Sequence, residues 1–143
     1  MRTKFVVAVV SIFAFVAFAN AQERPDEAAR SSPAYAEVLL RKTELLADLD
    51  SLSPDYTDEN PKIVDLKYEV AALDKWNAKI LKAKPADSGK LTFALGKLIV
   101  KRCSLDAELN RLLRTYKNDH QEVKRVRRKL AVFDDAITQI LGK

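Results

Sequence analysis

Apolar positions recur along most of this chain in steps of three and four, and the recurrence is itself copied. Leu45, Leu49, Leu52 and Tyr56 return sixty residues later as Leu105, Leu109, Leu112 and Tyr116. After a polar break, Ile63, Leu66, Val70, Leu73 and Ile80 return at the same offset as Val123, Val126, Leu130, Phe133 and Ile140. Such steps place the apolar groups on one face of an α-helix, as a narrow stripe suited to packing against another helix. The pattern predicts an all-α fold of two tandem antiparallel helical hairpins, one unit duplicated, forming a four-helix bundle or an extended coiled coil.

Turn chemistry divides the stripes. Ser32-Pro33 reads as a helix start, and Pro54 stops or kinks the first helix between Leu52 and Tyr56. Asp55 to Asn60 is a polar reversal, and Asn60-Pro61 supplies an N-cap followed by a proline where its missing N–H costs nothing. Lys84 to Gly89 holds the proline and glycine cluster in the middle of the chain and is the expected link. This gives hairpin 1 over residues 32–83, a linker over 84–89 and hairpin 2 over 90–143. The third stripe is widened by Phe93, Ile99 and Val100, so that helix should meet more than one neighbour. Asn118 to Gln121 reverses the chain again, and Gly142 suits the end of the fourth helix. Lys42 and Arg102 interrupt the seam at the same height in both repeats. They either snorkel to its edge or, buried, set register or meet a carboxylate.

The first residues are of another kind. Met1 to Lys4 carries two positive charges, Phe5 to Ala19 is almost wholly apolar, and Ala19-Asn20-Ala21 has the small residues a signal peptidase needs. Residues 1–21 are therefore expected to be a signal peptide cleaved before Gln22, with export to the periplasm or the outside of the cell. Residues 22–31 are polar and aperiodic and are expected to form a disordered leader. No segment after the leader is apolar enough to span a bilayer. The chain from Gln22 onward has 23 basic and 20 acidic residues, a mild excess, but it is unevenly placed. Gln22 to Gly89 holds 10 basic and 14 acidic residues, Lys90 to Lys143 holds 13 and 6, so the halves attract within a chain or head to tail between chains. The single cysteine, Cys103, stands where the first repeat has Thr43 and makes no internal disulfide.

The turn of each repeat, Leu49, Leu52, Tyr56, Asn60, Pro61 and Ile63, then Leu109, Leu112, Tyr116, His120 and Val123, resembles the periplasmic coiled-coil hairpin of polysaccharide chain-length determinant proteins. In that family a leucine-rich helix ends near a tyrosine and the next begins at a His-Pro pair. Asn60 stands in place of the histidine in the first repeat, and Gln121 in place of the proline in the second. The resemblance implies a hairpin geometry and an envelope setting. It does not imply control of polymer length, because the transmembrane and kinase parts of that family have no match here.

Candidate chemistry is sparse. Lys124, Arg125, Arg127, Arg128 and Lys129 crowd the start of the fourth helix, where the macrodipole disfavours cations. They are expected to form a solvated face partly paired with the acidic first half, or to bind an anionic partner such as envelope polysaccharide, lipid headgroups or an acidic protein. Tyr56 and Tyr116 should close the hairpin ends, with Asn60 and His120 as caps. One histidine beside two carboxylates is too few for a metal, and glycine is too scarce for a phosphate-cradling loop. No cofactor, nucleic acid or catalysis is expected. Trp76, beside the second stripe, is extra packing or an anchor for a partner. The sequence thus points to an exported structural or protein-interaction module of the bacterial envelope, self-associating or bound to an envelope protein. A periplasmic holdase-type chaperone, and a binder of anionic polymer through Lys124 to Lys129, are the alternatives.

Overall fold

The computed structural model describes residues 25–142, and its regular structure is entirely helical. The order is α1 (Pro25–Arg30), α2 (Pro33–Leu52), α3 (Pro61–Leu81), a 3-10 turn over Pro85–Lys90, α4 (Phe93–Thr115) and α5 (Gln121–Leu141). The expected signal peptide lies outside the described residues.

Each long helix is started by a side chain that satisfies one orphan amide of its first turn. Ser32 Oγ accepts from the Tyr35 amide and Thr92 Oγ1 from the Leu95 amide, both at 3.3 Å. Asn60 Oδ1 accepts from Lys62 at 2.9 Å and His120 Nδ1 from Glu122 at 3.3 Å. All four caps fall in pairs sixty residues apart. α3 and α5 coincide at the same offset, each 21 residues long. α2 and α4 do not end together, and the reason is local. Pro54 has no amide to continue the ladder, so α2 stops at Leu52, while Arg114 in the matching place lets α4 run to Thr115.

α2 packs on α3, and α4 packs on α5. α4 also lies against both α2 and α3, as its wide apolar surface requires. α5 has no comparable second helix: it rests on α4, with a lesser contact to the 3-10 turn. The main core, with Val38, Leu45, Leu73, Leu95, Ile99 and Cys103 at 0–1% exposure, sits where α2, α3 and α4 meet. A smaller cluster of Leu105, Val126 and Leu130 joins α4 to α5. Gly96 lets α4 approach α2 closely; a Cβ there would lie 2.7 Å from that of Glu37.

One expectation changes. Pro25–Arg30, taken as part of a disordered leader, is helical, because Ala29 is buried in the core and its carbonyl accepts from Ser32 Oγ at 2.6 Å. The link is wound as the 3-10 turn, and Leu91 beyond it is buried.

Candidate functional site

The seam cations each meet a carboxylate on the facing helix. Lys42 reaches Asp74, and Arg102 Nε reaches Asp134 at 3.0 Å, the same pair one repeat later. Arg102 also holds Asp106 at 3.0 Å. Both side chains lie at the edge of the seam, keeping about a quarter of their exposure, and each meets a carboxylate there. Partial burial lowers the Arg102 pKa, but hydrogen bonds and charges from Asp134 and Asp106 outweigh that and leave it raised. Arg41 is raised in the same way by Glu69 and Glu44 against its own desolvation, with Glu69 mostly buried beside it.

At the turns, Lys67 ties Asp58 at 2.8 Å and Arg127 ties the Asn118 side chain at 2.5 Å, again equivalent contacts. Tyr116 stacks on His120 with centroids 4.0 Å apart, so His120 both caps α5 and carries the ring. Asn60 caps α3 ahead of Pro61, and Tyr56 lies nearly half exposed beside Leu49 and Ile63. Both tyrosine rings lie just beyond the ends of α2 and α4 and keep nearly half their surface in water.

The basic run is exposed throughout: Lys124, Arg125, Arg127, Arg128 and Lys129. Arg125 pairs with Glu122 at 3.2 Å, within its own helix. Among the described residues, no carboxylate lies within ion-pair distance of Lys124, Arg128 or Lys129. The acidic first half is instead engaged by α4, through Lys97 to Glu37 at 3.0 Å and Arg114 to Asp65. The expectation that the run itself pairs with the first half is therefore corrected: α4 stands between them.

Because α5 rests on α4, a groove of about 970 Å³ remains between α3 and α5. α3 gives it Tyr68, Trp76 and small alanines; α5 gives Ile137, Thr138 and Leu141. Lys75, Lys79 and Lys82 run along the α3 wall in steps of four and three, and Lys79 Nζ sits 4.2 Å above the Trp76 ring. A second hollow of about 490 Å³ continues from Trp76 and Leu141 to Leu91, Leu95 and Ile99. Trp76 was legible as a candidate anchor. The lysine stripe was not singled out, though its helical spacing was there to be found.

The groove is lined by apolar, cationic and carboxylate side chains. Cys103 is wholly buried, and burial pushes its thiol up to about 12, Arg102 opposing and Asp106 adding to the shift. Among the described residues, no three His, Cys, Asp or Glu side chains gather as a metal would require. No described helix is long and apolar enough to cross a membrane. Comparison with protein-family models, curated proteins and solved structures gives no match.

Proposed function

We propose that this chain is an exported structural and protein-interaction module, a helical hairpin duplicated in tandem, whose work is to hold partners without catalysis. The observation that carries the reading is the groove beside α3, where Trp76, Tyr68 and Leu141 form an apolar floor and three lysines form a wall, the lining carboxylates Asp106 and Asp134 being held by Arg102. Apolar floor plus cationic wall is the surface that an acidic, partly apolar segment fills. The repeated caps, turn ties and seam ion pairs support the duplicated hairpin, the geometry implied by the resemblance to chain-length determinant proteins. The apolar stretch at Phe5 to Ala19 supports export to the bacterial envelope.

Trp76 is the sole tryptophan, so its fluorescence reports the groove directly. Addition of an acidic amphipathic peptide should shift its emission to the blue, and Lys75→Glu with Lys79→Glu should abolish the shift. An unchanged spectrum at millimolar peptide defeats this reading. The same mixed surface favours a second reading, a holdase-type chaperone. Suppression of a model client's aggregation by the purified chain, weakened by those two substitutions, selects it. Polymer binding through Lys124 to Lys129 is separated by salt-sensitive retention on an acidic polysaccharide that is lost when Arg125, Arg127 and Arg128 become Ser.

A further inference from the structure

Within one chain, α4 docks on the first helix pair through a definite face. Gly96 meets α2, while Ser104, Ala107 and Glu108 lie across from Asp65, Leu66 and Glu69 of α3. Sixty residues earlier, α2 carries the same face as Ala36, Glu44, Ala47 and Asp48, with Leu39 and Leu40 beside it, and all of these are exposed. Leu40 keeps 57% of its surface in water. The surface that receives α4 also has its copy. Asp65, Glu69 and Ala72 correspond to Arg125, Lys129 and Val132 on α5, again all exposed, Val132 at 66%.

The second helix pair therefore presents an empty version of the seat that α4 fills on the first pair, and α2 presents an unused version of the element that fills it. Their charges agree. The filled seat is acidic, with Asp65 and Glu69, and it receives Arg114 from α4. The empty seat is basic, with Lys129 and with Arg125, which Glu122 of the same helix also meets, and the unused face is acidic, with Asp48 and with Glu44, which Arg41 of the same helix also meets. Opposite signs on the two free surfaces favour joining them to each other over joining either to its own kind.

We infer that copies of this chain stack head to tail, α2 of one copy docking on α4 and α5 of the next as α4 docks on α2 and α3 within the chain. The inference rests on the interaction-module reading and deepens it by naming a second copy as partner. Seat and filling element are different surfaces, so the contact is heterologous and propagates into a row or a ring rather than stopping at two. Part of the basic run gains an occupant of defined chemistry, the acidic face of α2.

Sedimentation and light scattering of the purified chain over a range of concentrations test this. Growth beyond a dimer is expected, weakened by salt. Arg125→Glu with Lys129→Glu, and separately Glu44→Lys with Asp48→Lys, should each raise the apparent dissociation constant about tenfold or more, a loss of about 1.4 kcal/mol. Both pairs are on exposed positions, and circular dichroism should show wild-type helicity for each. Mixing the two variants, or combining all four changes in one chain, should restore assembly, because each junction then has opposite signs again. A mass that stops at two, or assembly indifferent to the reversals, overturns the stacking while leaving the module reading, which Trp76 fluorescence tests independently. A chain monomeric at millimolar concentration also overturns it.

Discussion

The two helix pairs are built from the same local instructions and end in different surroundings. Ser32 and Thr92, Asn60 and His120, Lys42 and Arg102 do matching work in each. Yet Ile99 is 1% exposed, whereas Leu39, its counterpart, is 42% exposed. Caps and turns act over three or four residues and so travel with the sequence. Burial depends on what lies across the gap, and α4 has three long neighbours where α2 has two.

The sharpest break of that comparison is truncation at the matched pair. Ile99→Ala should cost ~2–5 kcal/mol, as a cavity in a close-packed core does. Leu39→Ala should cost under ~0.5 kcal/mol in dilute solution, as a surface change does. Urea melts of the two variants measure the gap, and a cost for Leu39→Ala that grows with protein concentration would show another copy covering that face. Next comes Gly96→Ala, which sets a methyl 3.0 Å from the Ala34 Cα and closer still to Glu37, for a loss of ~1–3 kcal/mol. Ala36→Ser, its counterpart, should be neutral in the same melts.

Cys103 supplies a pH dependence that Thr43 does not. Its thiol titrates near 9.0 when unfolded and about 12 when folded, so the folded state holds a proton that the unfolded state sheds. The stability this provides is complete below pH 9 and is lost as pH climbs toward 12, by at most ~1.4 kcal/mol per unit. Comparing melts of the native chain and Cys103→Ala at pH 8 and pH 10.5 isolates it: the native chain's advantage should shrink. Alkylation of the folded protein at pH 8 should be slow until denaturant is added. Cap removal sharpens the likeness: Asn60→Ala and His120→Ala should each cost about 1 kcal/mol through the lost N-cap acceptor, His120→Ala the more because it also removes the partner of the Tyr116 ring.

Legibility in the sequence divides along the same line. The sixty-residue offset, the caps Ser32, Asn60 and His120, a stop or kink at Pro54 and the breadth of the α4 stripe were readable, because each is set by spacing or by backbone chemistry; Asp87 or Ser88 was expected to cap α4, but the 3-10 turn takes up both and Thr92 is the cap. α1 was missed because a six-residue helix has little local signal and exists through the burial of Ala29. The groove was missed because apolar periodicity identifies a face that wants covering without naming the cover. Gly96 was silent for the same reason: a helical glycine is a weak position until another backbone is found against it. Of the candidate residues, His120 and Asn60 act as the caps they were expected to be, and the basic run is as exposed as a charge cluster should be.

The side chain of Lys90 reaches from the connector to the last turn of α5, donating to the Leu141 carbonyl at 2.9 Å while holding Asp87 at 2.8 Å. Leu141 is also a wall of the groove. One flexible ammonium thus pins the C-terminal turn of α5 to the connector, so moving α5 away from α3 would stretch this bond before it disturbed the packing of α5 on α4.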